Sequence, residues 1–335
     1  MVRAGGPDLR RGGADLIEAG STPRGAFVIF NPASKGGHGS KRIPPYLDLL
    51  KQHLPVFDHG TTARSGDEAA LAEEALRNGY DTIVAVGGDG TWSAVADRIL
   101  SLGRNDVVFG VLPGGTGNDF GRNLGIPGND LEGAVRILAA GKTTRVDAGR
   151  IIGLSRHEAR GEEPRGERFF LNVAGFGFDV AVVDGATGAR FLRGEILYKA
   201  TALQQLFSFP GFSVTLEDEA GYGRTDRTLM LTITNGEHFG GGFPIAPGAS
   251  VQDGVLHACF IGDAKPLRRL VLFDRAGKGR HEGSGEVDAL AATRFKLSFP
   301  HPVRFEVDGD IYATEERELT IEVLKGALQV LAPGG

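Results

Sequence analysis

Two glycine-rich turns constrain this chain more than any other feature: Gly87-Gly88-Asp89-Gly90-Thr91 and Gly114-Gly115-Thr116-Gly117-Asn118-Asp119, each following a short apolar run. An apolar run, a glycine turn and a helical pattern, met twice, describe a strand-turn unit used twice. Glycine lets the backbone approach a polyphosphate and turn its N–H groups inward, while an acid inside the turn can hold magnesium or its waters. The pattern points to a nucleoside triphosphate.

The surrounding sequence supplies the frame. Strand-like runs at 26–30, 82–86 and 107–112 alternate with helical patterns at 67–78, 91–102 and 131–140, which argues a parallel α/β sheet. Gly79, Gly103 and Gly141 stand just past those helices as C-terminal caps, and Asn31-Pro32 closes the first strand. Thr91 is placed to cap a helix beginning near Trp92. Loops beginning at Asn31, Gly87 and Pro113 then share the carboxyl edge of the sheet, where ligands bind at a switch in strand order.

Beyond about residue 145 the pattern becomes short alternating segments rich in Phe and Val, at 169–173, 212–216, 229–234, 255–261, 295–299, 303–307 and 319–323. Such segments predict an antiparallel sandwich or barrel. Fifteen of the twenty phenylalanines lie past residue 150, which suits an aromatic core better than a lipid pocket. A helical stretch is expected over 189–207, and the charged segments 155–167 and 218–227 read as solvated connections.

With 335 residues the chain suits two domains: 25–145 as the nucleotide-binding unit and 146–335 as the β-sandwich, the last residues returning to the first unit. Residues 1–24, rich in Gly and Arg and without an apolar core, read as a disordered tail. A formal charge of −5 offers no basic field for nucleic acid. Cys259 lies in an apolar run and reads as a buried structural thiol. No apolar stretch is long enough to span a bilayer, so a cytoplasmic protein is expected.

Taken in order, Asn31-Pro32-Ala33-Ser34, Gly87 to Thr91, Pro113 to Phe120, Asn172 to Asp179, Asp253-Gly254-Val255-Leu256 and Val307-Asp308-Gly309-Asp310 resemble the diacylglycerol kinase catalytic-domain family, with bacterial lipid kinases the nearest kind. The likeness spans about residues 25–330. It implies an α/β domain of the phosphofructokinase and NAD kinase type, a C-terminal antiparallel β-sandwich, and ATP- and Mg²⁺-dependent phosphorylation of a lipid hydroxyl. Diacylglycerol is the family's default acceptor.

By the same resemblance, Asn31, Pro32, Ala33, Ser34 and Lys35 form the first nucleotide loop, with Thr62 at the matching position before the next helix. Gly87, Gly88, Asp89, Gly90 and Thr91, with Gly115, Thr116, Asn118 and Asp119, enclose the phosphates, and Asp89 contacts magnesium. Asp310 takes the position of the general base; the segment standing alone reads as an acidic hairpin turn. Ser250, Asp253 and the Val255 carbonyl fall at the spacing of a structural magnesium site in some relatives, and read alone form an Asp-Gly turn.

Two departures stand out. Relatives commonly carry Asn-Glu where this chain has Ser93-Ala94, so a carboxylate near the nucleotide is missing, and Asp310 replaces the usual Glu. The histidines show no metal-binding spacing. The segment 265–281, with six Lys or Arg against one Asp, reads either as an interfacial basic helix for anionic lipid or as a solvated helix. Peripheral membrane association and room for a homodimer complete the expectations. An NAD kinase, or a nucleotide- and lipid-binding protein without catalysis, remain the alternatives.

Overall fold

The computed structural model describes residues 10–12, 25–64, 66–154, 156–157, 166–182 and 204–333. The chain divides into two compact units, Met1–Val146 with Ala327–Gly335, and Asp147–Gly326.

The first unit is a parallel sheet with helices. Its strands are β2 (Ala26–Phe30), β3 (Phe57–Thr61), β4 (Thr82–Gly87) and β5 (Val108–Pro113). They pair in the parallel order β3–β2–β4–β5, and Gln329 and Val330 add a further parallel strand beside β5. A short β1 (Arg10–Gly12) pairs antiparallel with β3 and is the described part of residues 1–24. Every residue of β2 is buried, the signature of a parallel strand covered on both faces.

Helices α1 (Ile43–His53), α2 (Asp67–Arg77), α3 (Asp89–Ser101), α4 (Asp119–Asn123) and α5 (Leu131–Ala139) connect these strands. On α2, Leu71, Ala72, Ala75 and Leu76 form the buried stripe. Gly79, Gly103 and Gly141 all take positive φ after their helices, as expected of such caps.

Sequence analysis missed α1 and β3. In α1, Pro44 and Pro45 occupy the first helical turn, where a missing N–H loses no helix bond. In β3, Phe-Asp-His-Gly-Thr has little strand propensity and is held by pairing along β2.

The second unit is antiparallel. β6 (Thr143–Ile152) leads into it, followed by β7 (Arg156–His157), β8 (Glu167–Phe170), β9 (Val173–Gly177), β10 (Phe212–Asp218) and β11 (Gly223–Thr234). After β12 (His238–Phe239) and β13 (Phe243–Pro244) come β14 (Leu256–Gly262), α6 (Pro266–Ala276), β15 (Val287–Ala292) and β16 (Arg294–Ser298). The unit closes with β17 (Val303–Val307), β18 (Asp310–Thr314) and β19 (Glu318–Leu331).

One layer runs β15–β14–β11–β9–β17–β18, the other β11–β10–β16–β19. β11 serves both, changing partners at a bulge between Thr228 and Met230. Between the layers lie Val214, Leu216, Phe295, Leu297, Leu319 and Ile321 from one side and Phe176, Leu231, Ile233, Phe260, Phe305 and Tyr312 from the other. Phe176 stacks on both Phe299 and Phe305, so these phenylalanines are core, as their alternation suggests. The segment expected as one strand at 169–173 is two, β8 and β9, broken at Leu171-Asn172.

Burial pushes the Cys259 thiol up to about 12, in keeping with an inert core residue. Of the helix expected over 189–207 only residues 204–207 are described, within a helical turn that runs to 208, and most of 155–167 lies outside the described residues.

Candidate active site

Strand order reverses at β2: its partner β3 follows it in the chain on one side, and β4 lies on the other. That reversal opens a crevice between the loops after β2 and β4. Asn31 stands in it. Its Oδ1 accepts from Ala33 N, and its Nδ2 donates to Glu68 Oε1 and Thr91 Oγ1, each at 2.9 Å. Ser34 Oγ donates to Gly114 O at 3.2 Å, so the first loop is tied to the second through Thr91 and to the third through Ser34.

The helix after β4 begins earlier than the sequence suggests. α3 starts at Asp89 with Gly88 as an extended N-cap and no capping side chain, so Thr91 lies within the first turn instead of capping it. Its hydroxyl serves Asn31, and the orphan N–H groups of a 13-residue helix open where a phosphate is expected.

The two glycine turns lie backbone against backbone. Gly114 N donates to Gly87 O at 2.6 Å, and a Cβ on Gly115 would sit 2.4 Å from Gly88 Cα. Glycine is therefore required at 88 and 115 by the neighbouring turn, a reason the sequence gives no sign of. Asn118, left-handed with φ 55°, folds its amide onto both backbone groups of Gly115 at 3.1 and 3.2 Å. Buried Asp119 pairs with Arg122. Asp89 Oδ1 accepts from Phe120 N at 3.0 Å, joining the start of α3 to the start of α4.

Beneath this edge, Pro113 O accepts from Tyr46 Oη and from Arg42 Nη1, each at 2.7 Å, and Trp92 Nε1 donates to Ala85 O at 3.1 Å. Burial raises the Tyr46 phenol above its ordinary range. Thr62 is buried, its N–H closing on Phe30 O at 2.9 Å. Pro32 O accepts from Ser40 N at 3.1 Å. Ala33, Lys35 and Thr116 are exposed, and Lys35 has φ 54°. The structure thus gathers the three predicted loops along one edge of the first unit.

Asp310 belongs to the second unit. It is the half-buried first residue of β18 and pairs with Val307 across a two-residue turn. Both turn residues, Asp308 (φ 48°) and Gly309 (φ 91°), are left-handed, as a type I′ hairpin requires. Asp308 anchors that turn: its carboxylate accepts from Leu171 N at 2.8 Å and from Asn172 N and Val173 N at 2.9 Å.

On the opposite face of β17, Glu306 is 5% exposed and accepts from Gly309 N at 3.2 Å. It stands across from Gly175 of β9, and the space of the absent Cβ holds Asp179, whose Oδ2 lies 1.6 Å from where that atom would be. Asp179 Oδ1 accepts from Val180 N, and Oδ2 has no hydrogen-bond partner among the described residues. Burial pushes Asp179 up to about 7, and burial with the Asp179 and Asp308 charges pushes Glu306 well above its usual range. The pair holds a proton at neutral pH. Sequence reasoning gave no role to Glu68, Asp179 or Glu306; the signal for Glu306 was a lone acid in the apolar alternation of β17.

At the expected metal turn, Asp253 Oδ2 accepts from Ser250 N at 3.0 Å and meets His257 Nε2 at 2.9 Å, while Oδ1 accepts from Val255 N at 3.1 Å. Ser250 Oγ accepts from Gln252 N at 3.3 Å. Nearby Asp147, also passed over in the sequence, accepts from Gly254 N and Gly326 N, each at 2.7 Å. One carboxylate with both oxygens engaged is a thin cage for a hard cation, and the turn closes by its own hydrogen bonds.

Residues 25–151 match the profile described as "Diacylglycerol kinase catalytic domain", and residues 172–332 match "YegS C-terminal NAD kinase beta sandwich-like domain". The chain thus carries a diacylglycerol kinase catalytic domain followed by a YegS-type sandwich domain. It is similar to a Mycobacterium tuberculosis diacylglycerol kinase, 29% identical over 307 residues covering 91% of this chain and 94% of that protein. To a Bacillus subtilis diacylglycerol kinase it is 27% identical over 288 residues, 85% of this chain and 89% of the relative. A Bacillus anthracis diacylglycerol kinase crystal structure shares the fold, with TM-score 0.69 and 20% identity over 92% of this chain and 97% of that one. With these domains and relatives the chain is a lipid kinase.

Proposed function

We propose that this kinase binds ATP with Mg²⁺ and transfers the γ-phosphoryl group to the primary hydroxyl of diacylglycerol, giving phosphatidic acid. The reading is carried by the sheet edge of the first unit, where three loops meet through Asn31 and an uncapped helix N-terminus faces them. A polyphosphate suits that edge because backbone N–H groups and a helix dipole favour negative charge without a large side-chain charge. Exposed Lys35 and Thr116 are the side chains proposed to reach phosphate oxygens, and Asp89 is proposed to contact magnesium. Asp89 would hold the ion, whose chemistry there would be to offset phosphate charge.

In the proposed step the lipid oxygen forms a bond to the γ-phosphorus, the bond from that phosphorus to the bridging oxygen breaks, and ADP leaves. Asp310 orients the hydroxyl and takes its proton. Asp308, with its oxygens bonded to three backbone N–H groups, is the turn's anchor and not the base.

The test uses purified protein with labelled ATP, Mg²⁺ and mixed micelles of diacylglycerol, sphingosine, ceramide, phosphatidylglycerol or monoacylglycerol, with NAD as a soluble acceptor. Labelled phosphatidic acid from the parent and not from Asp310→Ala is the expected result. Apolar acyl contacts discriminate weakly, so the panel decides the acceptor. Label on another lipid moves the substrate, and label in Asp310→Ala removes that residue as base.

Peripheral membrane contact is proposed through apolar side chains. On α6 the basic residues are largely engaged: Arg268 pairs twice with Glu286, Arg275 bonds Ser284, and buried Arg269 reaches Asp263 and the carbonyls of Leu206 and Phe209. Leu267 is 75% exposed and Val271, one turn on, is 44% exposed. Loss of vesicle binding in Leu267→Ser with Val271→Ser supports this; unchanged binding removes it. No helix among the described residues is long and apolar enough to cross a membrane. An accessory cation at Ser250, Asp253 and Val255 is ruled out by equal metal content in parent and Asp253→Ala. Size measured by light scattering decides the proposed homodimer.

A further inference from the structure

Glu68 is a buried carboxylate that the reaction chemistry above does not use. It is 4% exposed, in the first turn of α2, where the helix dipole favours a negative charge. Its Oε1 accepts from Asn31 Nδ2 at 2.9 Å and its Oε2 from Gly66 N at 3.0 Å. The other proton of the Asn31 amide goes to Thr91 Oγ1. One carboxylate therefore fixes both the loop after β2 and the turn that starts α2, and through Asn31 it reaches the first turn of α3.

The Asn31 amide that Glu68 holds is also bonded from α3, by Thr91. Ala94, fully buried, stands three residues after Thr91 on the same helix face. Helical side chains lean over the turn preceding their own Cα, so a glutamate at 94 would extend toward Thr91 and Asn31. Ala94 ends at its Cβ, whereas Glu68 brings a carboxylate to the Asn31 amide from α2.

We propose that Glu68 is the positioning residue of the nucleotide loop, holding the Asn31 amide and supplying from α2 the carboxylate that Ser93-Ala94 leave out of α3. The inference rests on the nucleotide reading of this edge. Glu68 acts on ATP only through Asn31 and Thr91. Without it, the Asn31 amide is free to rotate and the loop carrying Ala33, Ser34 and Lys35 loses its fixed register to the second turn.

The test is ATP·Mg²⁺ affinity by calorimetry, with thermal unfolding and KM against kcat, for the parent, Glu68→Gln, Glu68→Ala and Glu68→Ala with Ala94→Glu. Glu68→Ala is expected to raise the ATP dissociation constant and KM about tenfold, equivalent to about 1.4 kcal/mol, with kcat changed much less. Glu68→Gln, which keeps an acceptor for Asn31, is expected to fall between. The double variant is expected to recover most of the lost affinity, an outcome a merely structural role for Glu68 does not produce. Unchanged ATP affinity in a folded Glu68→Ala, or a folded double variant no tighter than Glu68→Ala, overturns the proposal. Should Glu68→Ala not fold, parent-like affinity in Glu68→Gln together with a double variant weaker than the parent overturns it equally. A parent that binds no ATP removes the nucleotide reading itself, whereas a parent that binds ATP equally with every variant removes only the role of Glu68.

Discussion

The glycine turns of the first unit and the acidic turn of the second are both tight, and both contain left-handed residues, yet they are fixed by opposite means. At Gly88 and Gly115 the shape depends on what is missing: a Cβ at 115 would lie 2.4 Å from Gly88 Cα. At Asp308-Gly309 it depends on what is present, a buried carboxylate accepting three backbone N–H groups. The consequence is electrostatic. The contact of Gly88 on Gly115 involves no titrating group, whereas the acidic turn sits beside Asp179 and Glu306, two carboxyl groups whose proton affinity burial raises. The first arrangement suits a site that must receive a polyanion; the second stores a proton next to the proposed base.

The largest effect expected from this contrast is at Asp308. Asp308→Ala strands three buried N–H donors, each costing about 1–3 kcal/mol, which approaches the whole stability of an ordinary domain. A parent-like urea midpoint for this variant would break the idea of a side-chain anchor. Gly115→Ala comes next, at about 1–3 kcal/mol for forcing two backbones apart, with ATP affinity lost and the same penalty in acid and at neutral pH. A penalty that changed with pH would blur the distinction between the two turns.

The third prediction concerns pH directly. Asp179 moves from its ordinary 3.8 to about 7, and Glu306 also moves up, so the folded state holds protons that the unfolded chain releases. Their contribution is fully present below the unfolded values and is lost as pH rises toward about 7, at up to about 1.4 kcal/mol per pH unit for each proton. Glu306→Gln should flatten melting temperature against pH between about 5 and 8, measured by scanning calorimetry. Identical slopes in parent and variant would show that the pair does not titrate with folding. The smallest effect is at Lys35, whose φ of 54° carries a left-handed cost of about 1 kcal/mol. Lys35→Gly should raise stability by about that amount while weakening ATP binding; a lower melting temperature would mean the loop is not strained there.

Much of this was legible in residue order. Continuous apolar runs before Asn31, Gly87 and Pro113 give buried parallel strands because both faces of such a sheet are covered. Alternation after residue 145 gives sandwich strands for the converse reason. Asp308-Gly309 was legible as a hairpin turn, since both positions tolerate positive φ better than most residues. β3 was not legible, because its pairing along β2 outweighs a polar composition. The anchoring role of Asp308 was equally hidden, because only the N–H groups of Leu171, Asn172 and Val173 mark it as structural.

The sequence by itself determined the strand-turn rhythm, the change from parallel to antiparallel layers, and the loops that gather at one sheet edge, because periodicity and glycine placement are local properties of the chain. Only the tertiary structure decided which carboxylates carry out which task. Glu68 meets Asn31 across 37 positions, Asp308 meets Leu171 across 137, and Asp179 enters the space that Gly175 leaves opposite Glu306. A carboxylate's role is set by the donors and charges around it once buried, and those neighbours arrive from distant parts of the chain.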